Sequence, residues 1–168
     1  MGFIDGQTTN PTLISQNPLV KEKIERGEKF NRKEAYNFYK EVVAEIAKIT
    51  FGPISVEVYT DKNTQAQEMV NQAKEMVKWI PNVYLKFPIT KEGLKAAQKA
   101  IQENIPVNMT LCFSQEQVAA VYSATRSAKN LVFVSPFVGR LDDRGENGMN
   151  LVENILKMYQ KGDGIPFP

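Results

Sequence analysis

The 168-residue chain contains no histidine, and this removes the commonest general base, the serine–histidine triads and most zinc sites together. Acid–base chemistry must then fall to carboxylates, lysine, tyrosine or water. The single cysteine, Cys112, cannot form an intramolecular disulfide, and the sequence shows neither a signal-peptide pattern nor a long apolar run. A reducing, cytoplasmic setting is the default expectation, with no membrane partner. Neither sign of charge dominates: 21 basic against 19 acidic residues leave a net +2. The lysines are interleaved with glutamates and form no basic block, so composition makes no case for nucleic acid. No Gly-x-Gly-x-x-Gly follows any β-rich run, which weakens a dinucleotide-binding reading.

What is present fits one globular domain over residues 1–168, at 42% hydrophobic and 24% charged, with enough chain for a core. Short β-rich runs alternate with longer helical stretches. Phe3 to Gly6 reads as a short strand leading into a loop, Gln7 to Pro11. Helices are expected from about Pro18 to Arg26 and from Arg32 to Ile49, the second with Ala35, Phe38, Val42, Ile46 and Ile49 on one face. Ile54 to Tyr59 is a strand. It precedes a helix from about Asn63 to Trp79, where Ala66, Met69, Val70, Ala73, Met76 and Val77 recur at helical spacing. Val83 to Pro88 is the next strand, followed by a helix from Lys91 capped by Thr90, with Leu94, Ala97 and Ile101 on its apolar face. Pro106 to Leu111 is a strand, and Ser114 with Gln117 forms a capping box for a helix through Tyr122. Leu131 to Val134 gives another strand. A last helix from about Glu146 to Gln160 buries Met149, Val152, Ile155, Leu156 and Tyr159, and the Gly/Pro-rich tail Gly162 to Pro168 ends it.

Strands recurring every ~25 residues suit βα units in a parallel sheet, either doubly wound or a (β/α)8 barrel. Asn10, Glu57, Lys86, Thr110 and Ser135 fall at or just past the C-terminal ends of different strands, where a barrel gathers its functional groups. The barrel is therefore expected. Within the Lys86 strand every neighbour is apolar or aromatic, and such a strand seldom takes an ammonium unless chemistry needs it. Desolvation favours the neutral, nucleophilic amine that can condense with a ketone. The plain alternative is a lysine whose stem lies on apolar surface while its head reaches water.

The loop Asp5-Gly6-Gln7-Thr8-Thr9-Asn10-Pro11-Thr12-Leu13-Ile14, the strand Ile54-Ser55-Val56-Glu57-Val58, and Lys86 with Pro88, Thr90, Glu92, Gly93 and Leu94 resemble the transaldolase family. Val107-Asn108-Met109-Thr110-Leu111-Cys112-Phe113-Ser114 and Ser135-Pro136-Phe137-Val138-Gly139-Arg140 extend the resemblance. It implies a class I aldolase-type (β/α)8 TIM barrel of the pentose phosphate pathway. Such enzymes move a dihydroxyacetone unit from fructose 6-phosphate or sedoheptulose 7-phosphate to an aldose phosphate, erythrose 4-phosphate or glyceraldehyde 3-phosphate. No metal or other cofactor is implied, because a protonated imine withdraws the electrons.

Through the resemblance Lys86 is the Schiff-base lysine, Glu57 the carboxylate that positions a water for proton transfer, and Thr110 the hydroxyl holding that water. Asn10, Thr8 and Asn108 would contact donor hydroxyls, Ser135 and Phe137 would line the mouth beside the imine, and Arg140 would grip the phosphate. Each has a structural alternative: Glu57 a solvated strand-end carboxylate, Arg140 a partner for Asp142 or Asp143, Thr110 a β-former, Phe137 a core aromatic. The related fructose 6-phosphate aldolases carry glutamine and tyrosine where this chain has Glu57 and Phe137, which favours transfer over free cleavage. The resemblance also implies that the barrel is incomplete, with strand 1 and its acid–base aspartate, strands 7 and 8, and a second phosphate-binding arginine absent. Bare parallel edges of this kind point to assembly as a homo-oligomer or to an inactive partial domain.

Overall fold

The structure, a computed structural model, describes residues 4–161. The chain divides into two compact units, Met1–Lys86 and Phe87–Pro168, with the division inside one strand. The first unit holds β1 (Gln7–Thr8), α1 (Pro11–Ser15), α2 (Pro18–Glu25), α3 (Arg32–Ile49), β2 (Ile54–Glu57), α4 (Ala66–Met76) and most of β3 (Val83–Pro88). The second holds the end of β3, then α5 (Lys91–Gln102), β4 (Val107–Cys112), α6 (Gln115–Thr125), β5 (Val132–Pro136), α7 (Val138–Asp142) and α8 (Gly148–Lys161). It is an α/β chain of successive βα units, the connectivity that a barrel of such units requires.

In the first unit asparagine starts the first three helices. Asn10 accepts a hydrogen bond from Leu13 N ahead of Pro11, Asn17 accepts from Leu19 N ahead of Pro18, and Asn31 forms a capping box with Glu34. Each side chain satisfies a backbone donor that the first turn leaves free, and proline at the first position has no donor to lose. β1, β2 and β3 lie parallel in chain order, with Thr8 opposite Ser55 and Glu57 opposite Lys86. Ile54, Val56, Val58 and Leu85 are fully buried, together with Val43, Met69, Val70, Ala73 and Met76 from the helices. Burial of each large side chain stabilises by about 1.5–3 kcal/mol.

In the second unit β4 and β5 are parallel, and Ile89 N donates to Thr110 O just past the end of β3. Thr90 caps α5, and Ser114 and Gln117 make the expected capping box on α6. Gly93 is required on α5, because a Cβ there would stand 1.9 Å from Pro88 O. Register runs from Val107 opposite Val132 to Met109 opposite Val134, then resumes with Cys112 opposite Pro136. Thr110 and Leu111 therefore share the place opposite Ser135, and Leu111 has φ 63°. This is a β-bulge with a bulky left-handed residue, a backbone state that costs ~1–2 kcal/mol.

Several expectations need correction. Pairing at the N-terminus falls on Gln7–Thr8 and not on Phe3 to Gly6, because Gln7 N and Thr9 N find acceptors in Pro53 O and Ser55 O; Phe3 itself lies outside the described residues. On α3 the buried residues are Tyr39 and Val43, while Ala35 is exposed and Ile49 is 79% exposed. The helix turns Tyr39 inward because its hydroxyl has partners in the strand layer. On α8, Leu151 and Ile155 are buried and Met149 and Leu156 are exposed. At the start of α8, Gly148 sits so close to Val138 that a Cβ would stand 2.5 Å from Val138 O. The tail Gly162 to Pro168 lies outside the described residues. Among the described residues no helix is long and apolar enough to cross a membrane.

Candidate functional site

Lys86 is 5% exposed on a strand otherwise built from Val83, Tyr84, Leu85, Phe87 and Pro88. A charge so buried needs compensation. Two acceptors supply it: Glu57 Oε2 at 3.2 Å and Thr9 O at 3.3 Å. Glu57 is the register partner of Lys86, so parallel pairing puts both side chains on the same side of the sheet, and Val58 N bonds Lys86 O at 3.2 Å just beyond. The alternative of a lysine head reaching water does not describe this geometry.

Thr8 and Asn10 flank Thr9. Thr8 is exposed, and Asn10 is half-buried with its Oδ1 engaged at 2.8 Å by Leu13 N. Capping uses the carbonyl side of the amide, which leaves the Nδ2 hydrogens to meet an oxygen of a ligand.

In the second unit, Asn108 and Thr110 alternate on β4 and are 5% and 1% exposed. Ser135 Oγ donates to Asn108 Oδ1 at 2.9 Å. Thr110 Oγ1 is buried and has no hydrogen-bond partner among the described residues. A buried hydroxyl left unpaired costs free energy, and such a group often marks the place of a water or ligand atom. Phe137 is half-buried, packs on Phe113 with ring centroids 5.4 Å apart, and immediately precedes α7. Arg140 is exposed and pairs with Asp143 at 3.5 Å. An exposed pair is worth ~0–1 kcal/mol, so the guanidinium is only weakly held. It lines an open cavity of about 520 Å³ with Phe137, Val138 and Gly139.

Of the residues singled out from sequence, Glu57 and Lys86 meet directly, as do Asn108 and Ser135. Tyr39 and Thr9 were not singled out. Tyr39 Oη lies 2.6 Å from Thr9 Oγ1 and accepts from Glu57 N at 2.8 Å, and burial pushes the phenol up to about 12. The signal was present in the second stripe of α3, where Tyr39 and Val43 recur at helical spacing.

The sequence model described as Transaldolase/Fructose-6-phosphate aldolase matches residues 1–165. A "Probable transaldolase" of Methanococcus maripaludis strain C6 is 42% identical over 159 residues, covering 95% of this chain and 62% of that protein. Its namesake in Dehalococcoides mccartyi is 40% identical over 162 residues, covering 96% of this chain and 63% of that protein. A third, in Clostridium kluyveri, is 42% identical over 160 residues, with 95% and 62% covered. The chain thus spans about 62% of the length of the curated relatives it matches. With a family match running through both units and every site motif, the chain belongs to the transaldolase/fructose-6-phosphate aldolase family.

Proposed function

We propose that this chain carries the imine-forming part of a transaldolase, transferring a dihydroxyacetone unit between sugar phosphates in the pentose phosphate pathway. The observation that supports it most is the buried Lys86 amine held at 3.2 Å by Glu57 in a chain of this family. Lys86 Nζ attacks the ketone carbon of fructose 6-phosphate or sedoheptulose 7-phosphate, and the carbonyl oxygen leaves as water. The hydroxyl on the fourth carbon then gives its proton to water as the bond between the third and fourth carbons breaks toward the iminium nitrogen, leaving an enamine and releasing an aldose phosphate. The enamine attacks the aldehyde of erythrose 4-phosphate or glyceraldehyde 3-phosphate, and hydrolysis regenerates the amine.

Glu57 takes the proton that Lys86 must lose before attack, directly or through a water, and the unpaired Thr110 hydroxyl holds a water for proton transfer. Asn10, Thr8 and Asn108 bind donor hydroxyls, Ser135 and Phe137 line the mouth, and Arg140 receives the phosphate. The iminium is the electron sink, so the reading assigns no metal or cofactor. It treats residues 1–168 as belonging to one barrel domain acting in a cytoplasmic homo-oligomer.

Borohydride reduction of the chain with fructose 6-phosphate, followed by peptide mass spectrometry, tests the imine. A reduced adduct on Lys86, absent from Lys86→Met, is expected; an unmodified Lys86 refutes the proposal for this chain. Adding erythrose 4-phosphate should raise glyceraldehyde 3-phosphate release. Equal release with and without it would mean a lyase like the fructose 6-phosphate aldolases.

A further inference from the structure

The two acceptors of the Lys86 amine, Glu57 at the end of β2 and Thr9 just past β1, come from different segments, and one hydroxyl touches both. Thr9 Oγ1 donates to Ser55 O at 2.9 Å and lies 2.6 Å from Tyr39 Oη. A hydroxyl has one proton, so with that proton on Ser55 O the second contact must run from Tyr39 to Thr9. Tyr39 Oη in turn accepts from Glu57 N at 2.8 Å. The order is Glu57 N–H to Tyr39, Tyr39 O–H to Thr9, and Thr9 O–H to Ser55. Thr9 N also donates to Ser55 O, at 2.8 Å, which holds the β1 end against β2. Tyr39 is 8% exposed, and its ring meets the edge of Trp79 at 5.6 Å and 82°. The phenol, pushed up to about 12 by burial, keeps its proton through the neutral range and so keeps its direction of donation.

We infer that Tyr39 is a positioning residue for the Lys86 amine, its hydroxyl joining the two residues that orient Nζ. This rests on the reading of Lys86 as the imine-forming group. Phenylalanine at position 39 keeps the ring but strips Glu57 N of its acceptor and Thr9 Oγ1 of its donor. Both acceptors of the amine then lose a restraint at once.

The test compares the chain with Tyr39→Phe, Thr9→Val and the control Tyr36→Phe, whose ring also meets Trp79, at 4.9 Å. Reductive methylation with formaldehyde and cyanoborohydride, read lysine by lysine from peptide masses between pH 7 and 10, reports the amine without using a sugar. Tyr39→Phe should change the Lys86 rate about three- to tenfold, the equivalent of one net hydrogen bond. Other lysines and the Tyr36→Phe protein should be unchanged. Equal Lys86 rates in the parent chain and Tyr39→Phe, or no Lys86 reaction in either, overturn the inference. Should Tyr39→Phe fail to fold, Thr9→Val removes the same link and is judged by the same rates. Imine trapping with fructose 6-phosphate on the parent chain is scored separately. A missing adduct there counts against the proposed function, while the methylation rates still decide the role of Tyr39.

Discussion

Glu57 and Lys86 stand directly opposite one another on neighbouring parallel strands, and their charged ends meet at 3.2 Å. The pair is uneven, with the lysine side chain 6% exposed and the glutamate 19%. Losing the carboxylate strands the deeper charge, whereas losing the ammonium leaves an anion with some access to water. Glu57→Gln should therefore cost about 1–3 kcal/mol, below the range for a fully buried pair because Glu57 is partly solvated. Lys86→Met, close in volume, should cost less than about 1.5 kcal/mol. Urea unfolding of the two variants measures the difference, and equal losses would contradict this account of the pair.

Alkaline pH should weaken the fold through Tyr39. Burial raises its folded-state pKa to about 12 from the 10.0 of a free phenol. A group raised on folding contributes its full stability below the unfolded value and loses it as pH climbs to the folded one. The window is therefore about pH 10 to 12, and the loss is about 2–3 kcal/mol relative to Tyr39→Phe over the same range. Comparison with that variant cancels Cys112, whose thiol burial pushes to about 11. Denaturant melts at stepped pH would reveal parallel curves if the phenol does not contribute.

The Cys112 thiol should be unreactive in the native chain. It is fully buried, and a rise from 9.0 to about 11 leaves little thiolate at neutral pH. Alkylation by iodoacetamide at pH 8 should run at least roughly 100-fold slower than in urea. Comparable rates in the two conditions, followed by mass, would mean that this part of β4 opens readily.

Gly93→Ala should be destabilising although alanine is the better helix former. The added methyl would meet Pro88 O at 1.9 Å, and backbone must move to admit it. A cost of about 1–3 kcal/mol is expected against a propensity gain of up to about 1. A thermal melt above that of the parent chain would show that the α5 N-terminus tolerates the shift.

Much of this was readable along the chain, and the reasons are local. The strand Val83–Pro88 announced itself by an unbroken apolar run, and α5 and α6 by caps within three residues of their first turns. Lys86 stood out because it interrupts the one pattern that leaves no room for an ammonium. The misses are tertiary. α1 and α7 have five residues each, too few for a helical period to register. The inward face of α3 was set by hydrogen bonds between Tyr39 and its partners Thr9 and Glu57, 30 and 18 positions away along the chain, and not by the number of apolar side chains on a stripe. The Leu111 kink had no glycine to mark it.

That kink has a mechanical consequence. With Thr110 and Leu111 both facing Ser135 across the β4–β5 ladder, the strand carries a notch that matches its neighbour at only one setting. Sliding β5 by one place would turn its inward side chains outward and would also force the notch to migrate past Cys112 and Pro136. The left-handed leucine thus works as a detent, spending a little backbone energy to keep the Asn108–Ser135 hydrogen bond from slipping out of step.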